Sequence, residues 1–250
     1  PCETRFARRP DALVEVLRAA GTQRLEGKAR RLQTLFVRRG DHAQVFYEEM
    51  MAALGYKHNA APFRALAARI PWRDLPTTPE AAETVLSCAA DLDVAPRLPW
   101  RTANVRPVNA PSRRIRTAAA LFAGTFPALL HRLVDGDLAT GTGQRATQRL
   151  LCDAGHLGPH RAAALLANVV TPFALAEGHL AHVPDWLCPE DLCTSMRVTA
   201  FRLLGRDHNP ALYAGNGLLT QGLIHIHRTI CLNVHPDCSN CTLLNTAHGC

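Results

Sequence analysis

The sequence has no long apolar run, and this absence limits where the chain can reside. Its longest uninterrupted apolar stretches, such as Ala162 to Ala167, are far shorter than the roughly 20 residues that a membrane span needs. The basic first residues are not followed by the apolar core of a signal peptide. We therefore expect a cytoplasmic protein with no membrane partner.

Lysine is almost absent, because Lys28 and Lys57 are the only lysines among 28 basic residues. The net charge is +7, and it lies in the first half, since residues 1–116 hold 20 basic and 12 acidic side chains. Guanidinium groups suit bidentate recognition of phosphate. The arginine surplus predicts a nucleic-acid partner. A solvated arginine-rich surface, set by codon use in a high-GC genome, is the alternative explanation.

Two common catalytic or phosphate-binding signatures are missing. No HExxH or similar spacing among the histidines indicates a catalytic metal. The Gly- and Thr-rich segment 135–144 lacks the GK[ST] ending of a phosphate loop, so we interpret it as a plain loop.

Cysteine, by contrast, is frequent. Nine cysteines without a secretory context favour metal binding over disulfides. The last four have the spacing C-x6-C-x2-C-x8-C and directly follow a helical-looking run, Gly217 to Ile230. Thiolates at such spacing bind Zn²⁺ tetrahedrally or hold an iron–sulfur cluster, and a site whose four positions are all filled by cysteine is structural. The predicted ligands are Cys231, Cys238, Cys241 and Cys250, with unrelated buried thiols as the alternative.

The cysteine loop resembles the iron–sulfur loop that closes the endonuclease III family of helix-hairpin-helix DNA glycosylases. The resemblance rests on the C-x6-C-x2-C core with Pro236 ahead of its second cysteine, although eight residues rather than five precede the fourth cysteine. It implies a 4Fe–4S cluster, with Zn²⁺ as the alternative. Several side chains could replace a ligand, namely His225, His227, His235, His248, Cys188 and Cys193.

Amphipathic periodicity predicts an all-α fold of two helical lobes. The cysteine spacing adds a C-terminal metal-thiolate loop, iron–sulfur or zinc, to this fold. The lobes are residues 1–95 and 117–230, joined by a basic segment, 96–116, and followed by the Cys-rich loop 231–250. The predicted helices are Asp11–Ala20, Thr22–Arg39, Asp41–Gly55, Asn59–Ile70, Pro79–Leu92, Ser112–Val134 in two pieces, and one from Ala162.

The basic segment 96–116 is the best candidate for nucleic-acid contact in the sequence. Loop-like backbone here combines arginines with one aromatic ring, which suits contact with phosphates and bases. The alternative is a structural role, in which Arg106 and Arg113 bond helix carbonyls or buried carboxylates. The predicted contacts are Arg97, Trp100, Arg101, Arg106, Arg113, Arg114 and Arg116.

A glycine-containing turn further along loosely resembles the helix-hairpin-helix of DNA glycosylases. Gly155 and Gly158 would let backbone amides approach a phosphate, with Arg161 beside them. The resemblance places Glu177 near the position of the glycosylase aspartate, where a buried carboxylate could act as a general base. A Glu at the polar end of the helix from Ala162 is the simpler alternative.

Four segments resemble the C-terminal part of an uncharacterised bacterial domain-of-unknown-function family, number 2851. They are residues 46–72, 106–116, 167–175 and the stretch from Gln221 to the C-x2-C pair. The resemblance implies an N-terminal region that this chain lacks, and the start at Pro1 indicates a fragment or processed product.

Three functions therefore remain open. The first is a nucleic-acid-binding domain of a larger processing protein, with DNA favoured over RNA. The second is a divergent DNA glycosylase-like repair enzyme that uses Glu177. The third is a zinc-stabilised scaffold that contacts other proteins.

Overall fold

The computed structural model describes residues 10–55, 60–90, 111–124, 126–188 and 217–229. Regular structure in these ranges is helical, without a strand, which confirms the predicted all-α class. A 3-10 turn at Trp72–Asp74 follows α3, and a π turn at Leu166–Val170 joins α8 to α9. The helices are α1 (Pro10–Arg39), α2 (His42–Gly55), α3 (Ala60–Arg69), α4 (Pro79–Ala89), α5 (Pro111–Phe122), α6 (Phe126–Val134), α7 (Gly141–Gly155), α8 (Pro159–Leu165), α9 (Thr171–Ala176) and α10 (Gly217–Thr229).

Buried aromatic rings lie in the main core. Phe46 of α2 meets Phe173 of α9 edge-on, with 4.5 Å between ring centroids, and Tyr47 meets Phe122 of α5 at 4.9 Å. Edge-to-face contacts of this kind add about 0.5–1.5 kcal/mol each beyond the area they bury. The rings come from both sides of the predicted 96–116 connection, so helices of both predicted lobes contribute to this core.

The last helix, α10, crosses α1 at unusually close range. A Cβ at Gly222 would lie 1.9 Å from the carbonyl oxygen of Leu17, and a Cβ at Gly21 would lie 2.3 Å from that of Leu218. Glycine at both positions is therefore required for this crossing. The prediction that a helix ends at Gly21 is wrong, because α1 continues through this residue and uses it as a packing surface.

The prediction of a plain loop over 135–144 is also partly wrong, because α7 begins inside it. Thr140 is the N-cap, and its Oγ1 accepts a hydrogen bond from the Gly143 amide at 3.1 Å. A Cβ at Gly143 would lie 1.8 Å from the carbonyl oxygen of Asp137. Gly143, which the prediction placed in a plain loop, therefore permits a tight start to a helix.

Among the described helices, no single one is long and apolar enough to cross a membrane. One bent pair, formed by α5 and α6, passes the test of length and composition. Apolar side chains of this pair, including Leu121, Phe126 and Leu133, are buried in the shared core.

Candidate functional site

Two cations on α1 converge on one amide of the π turn. Arg24 and Lys28 are one helical turn apart, so they share a face of α1. Lys28 Nζ donates to Asn168 Oδ1 at 2.6 Å, and Arg24 Nη2 donates to the same oxygen at 3.0 Å. Arg24 Nε also donates to Gln221 Oε1 at 3.0 Å. We call Arg24, Lys28, Asn168 and Gln221 the basic cluster.

Asn168 is held in place by the backbone on which it lies. Its Nδ2 donates to the carbonyl oxygen of Ala164 at 2.9 Å, and its own carbonyl oxygen accepts from Lys28 Nζ at 3.2 Å. It lies within the π turn, a rare departure from α-helical geometry that is frequent at functional sites. The side chain and the main chain of Asn168 therefore both face Lys28.

Gln221 lies beside the positive charge of Arg24. This side chain is fully buried, and its Nε2 has no hydrogen-bond partner in the described part of the chain. His225 lies one turn further along α10, on the same face as Gln221. Burial, and next the positive charge of Arg24, lower the pKa of His225. The cluster therefore combines two cations with a buried donor that lacks an acceptor.

Glu177, the predicted catalytic carboxylate, lies beside the first residue of α2. Its Oε1 is 2.6 Å from His42 Nδ1, a distance that suits an ion pair with protonated His42. The contact angle falls outside hydrogen-bond geometry, since Oε1 has no hydrogen-bond partner among the described residues. The His42 ring stacks on Phe36 with 4.2 Å between centroids, and its side chain is 45% exposed. Glu177 is thus half-buried in a carboxylate–imidazole pair at the surface.

The predicted metal ligands Cys231, Cys238, Cys241 and Cys250 lie outside the described residues, as does Cys193. In the ranges that are described, no group of three or more His, Cys, Asp or Glu side chains could hold a metal ion. The helix predicted to precede the loop is present as α10 and ends at Thr229.

The three described cysteines differ in their surroundings. Cys88 is exposed, Cys152 is partly buried and Cys188 is buried. Burial raises the pKa of the Cys188 thiol to about 11. Cys188 therefore loses its proton less readily than an exposed thiol does.

The predicted arginine contacts divide into three groups. Arg97, Trp100, Arg101 and Arg106 lie outside the described residues. Arg113 is exposed, and Arg116 is exposed but pairs with Glu83 at 3.2 Å. Arg114 is only 6% exposed and donates to the carbonyl oxygen of Gly55 at the end of α2. The Arg114 guanidinium is therefore buried against a helix terminus, and its contact with nucleic acid stays a prediction.

The predicted glycine turn forms a helical hairpin of α7 and α8. His156 caps α7 with a left-handed backbone, φ 49°, and Gly158 is the N-cap of α8. Gly155 is buried, and a Cβ there would lie 2.9 Å from Leu121. Arg161 is exposed at the start of α8. Gly155 thus serves helix packing, while Gly158 and Arg161 lie at the surface.

The basic cluster was not found from the sequence, because its parts are far apart in the chain. Arg24 lies 144 residues before Asn168 and 197 residues before Gln221. A weak signal was present, since Lys28 is one of only two lysines and Asn168 and Gln221 lie in segments that carry the family resemblance.

Comparison with known proteins places only the first part of the chain. No curated protein and no solved structure matches the chain. The three further segments of the predicted resemblance, beyond residue 92, lie outside the matched range. Residues 1–92, which carry α1 to α4 and both cations of the basic cluster, match the model of the family described as protein of unknown function (DUF2851).

Proposed function

We propose that this chain is a nucleic-acid-binding helical protein, with DNA favoured over RNA, and that it belongs to a larger nucleic-acid-processing protein. The observation that carries the proposal is the state of the acidic side chains in the first half. Glu48 binds Arg39 through both oxygens, at 2.5 and 2.6 Å, and Glu49 binds two arginines at 2.8 and 2.9 Å. Asp41 and Glu83 are paired as well.

Because these carboxylates are already engaged, they do not neutralise the remaining arginines of the same half. Arg38 and Arg113 are exposed, and neither has an ion pair among the described residues. Exposed, uncompensated guanidinium groups gain most from phosphate, since counterions are released when they bind. The positive charge of Arg38 and Arg113 is therefore available to a polyanion.

Arg38→Gln and Arg113→Gln test this proposal. Fluorescence anisotropy with labelled DNA duplex, single-stranded DNA and RNA would be measured over a salt series. Each substitution should weaken binding and reduce the salt slope by about one. Arg132→Gln on α6 is the matched control, because Arg132 is exposed but lies in the half without a positive surplus. Equal slopes for all three variants would contradict the proposal, and no binding at moderate salt would favour the scaffold function.

The metal site is part of the proposal. The four closing cysteines are expected to hold a 4Fe–4S cluster, with Zn²⁺ as the alternative, and an all-thiolate set supplies structural anchorage without an open position. The support is α10, which is buried against α1 and so provides a fixed start for the loop. Metal analysis and visible absorption of anaerobically purified protein should show iron and sulfide, or zinc without colour. Cys238→Ser should lose the metal, whereas Cys88→Ser, at an exposed described thiol, should keep it.

A second candidate function is a glycosylase-like hydrolase, which the contact between Glu177 and His42 favours. A half-buried carboxylate beside an imidazole can hold and transfer a proton, as a general base must. Glu177→Gln should abolish base release from damaged DNA while leaving DNA affinity unchanged. If the Glu177→Gln variant released bases as fast as the wild type, this candidate function would be excluded.

A further inference from the structure

We propose that the basic cluster is the binding site for one phosphate group, and this deepens the proposed function because it names the phosphate contact at α1. The argument begins with the donors. Besides their other contacts, Arg24 and Lys28 both donate to one oxygen of Asn168, so two positive charges lie side by side. Two positive charges this close together attract an anion.

The buried amide of Gln221 is the second, independent observation. Its Oε1 accepts from Arg24, so its Nε2 lies beside the guanidinium. That nitrogen is buried and has no acceptor among the described residues. A buried N–H group without an acceptor costs about 1–3 kcal/mol. A ligand oxygen that accepts a hydrogen bond from Gln221 Nε2 would remove this cost.

The donor set selects the ligand. A guanidinium, an ammonium group and an amide N–H group all donate, so the ligand is an acceptor with several oxygens. A phosphate offers more acceptor oxygens than a carboxylate, so it suits a site with three kinds of donor. Arg24, Lys28 and Asn168 are each partly exposed, so the phosphate can belong to a larger molecule.

The lowered pKa of His225 is consistent with this assignment. Its second cause, after burial, is the charge of Arg24, which shows that positive potential reaches the face of α10 that carries Gln221. The same potential attracts an anion.

The test uses Lys28→Gln and Gln221→Leu in the full chain. The matched control is Arg30→Gln, since Arg30 is exposed on α1 and pairs only weakly with Glu26 at 3.7 Å. Thermal unfolding would be compared in inorganic phosphate and in chloride at equal ionic strength. Phosphate should raise the Tm of the wild type and the Arg30 variant, and should have little effect on the two cluster variants.

The salt dependence of DNA binding distinguishes the two sources of phosphate. If the phosphate belongs to a nucleic-acid backbone, Lys28→Gln should also reduce the salt slope by about one. If phosphate protects the protein but the slope is unchanged, the site takes free or nucleotide phosphate and any DNA contact lies elsewhere. If phosphate protects the protein and DNA does not bind at all, the proposed function fails and the phosphate site remains. If the substitutions lower Tm equally in phosphate and chloride, the cluster only joins α1 to the π turn and the inference is overturned.

Discussion

Glycine is the residue that decides how α10 packs, because at Gly222 the carbonyl of Leu17 occupies the space of a side chain. In the interior of a helix, replacing glycine with alanine usually stabilises by about 0.5–1 kcal/mol. Here a Cβ would lie 1.9 Å from a backbone oxygen, so the helices must move apart. Steric cost therefore opposes helix propensity at this residue, and the steric term is larger.

We predict that Gly222→Ala destabilises the protein by about 2–3 kcal/mol, the usual cost of overpacking. The measurement is the free energy of unfolding in urea. Gly27→Ala is the control, since Gly27 is an exposed glycine of α1 with its nearest neighbour, an Arg30 nitrogen, at 4.0 Å. This variant should gain about 0.5–1 kcal/mol. A stabilising Gly222→Ala would show that the two helices do not cross at this residue.

His225 gives a prediction for pH. Its pKa is lowered in the folded state, so the unfolded chain binds the proton more readily. Stability should therefore fall as the pH decreases below about 6.5, the ordinary pKa of histidine, down to the lower folded value. When the pH is lowered from about 7.5 to about 5.5, His225→Gln should lose less stability than the wild type. The control His182→Gln, at an exposed histidine, should lose as much stability as the wild type. Equal losses for both variants would contradict the prediction.

Single residues also mark the limit of sequence-based prediction. Gly21 has the signature of a helix end, and only the position of α10 reveals that it is a contact. Arg114 and Arg113 are neighbours in the sequence, yet one is buried on Gly55 and the other is exposed. Which side of a helix faces the core depends on partners far along the chain, and a local pattern leaves that open.

At the scale of elements, the start of α2 is fixed by a single aspartate. Asp41 Oδ1 accepts from the Gln44 amide at 3.0 Å, as the side chain of an N-cap does, and Oδ2 binds Arg73 of the 3-10 turn. The Arg73 guanidinium, as the main cause, lowers the pKa of Asp41. His42, the partner of Glu177, is the next residue, so this cap also positions the carboxylate–imidazole pair.

We predict that Asp41→Ala destabilises by about 1 kcal/mol, the usual cost of losing an N-cap. Asp41→Asn should cost less, because asparagine also caps helices and an exposed ion pair with Arg73 contributes little. Urea denaturation of both variants checks this order. The opposite order, with Asn worse than Ala, would show that the charge of Asp41 matters more than its cap.

Most helices follow from the sequence because caps and prolines act locally. Thr78 caps α4 and Pro79 opens it, and Ile115, Leu121 and Phe122 face the core as their spacing predicts. The π turn at Leu166–Val170 could not be predicted, since its residues have ordinary helical periodicity. Its Asn168 contacts α1, and a contact so far along the chain is not visible in a local pattern.

At the scale of the whole molecule, the main core that both predicted lobes share determines how the described helices unfold. The predicted boundary between the two lobes, at residues 96–116, rested on the basic composition of that segment. Composition does not reveal which helices pack together. In the described residues, Phe46 from the first predicted lobe contacts Phe173 from the second. Residues that share a core lose their contacts together, so the helices that line this core should form one cooperative unit.

We predict one unfolding transition, with coincident curves from far-UV circular dichroism and tryptophan fluorescence. Phe46→Leu and Phe173→Leu should each lower its midpoint, with a loss of about 1–2 kcal/mol, because each removes ring contacts from the same buried cluster. Since the two rings touch, the double variant should lose less than the sum of the single losses. Two transitions, with each substitution moving only one of them, would mean that the halves fold independently and that the shared core contributes little to joining them.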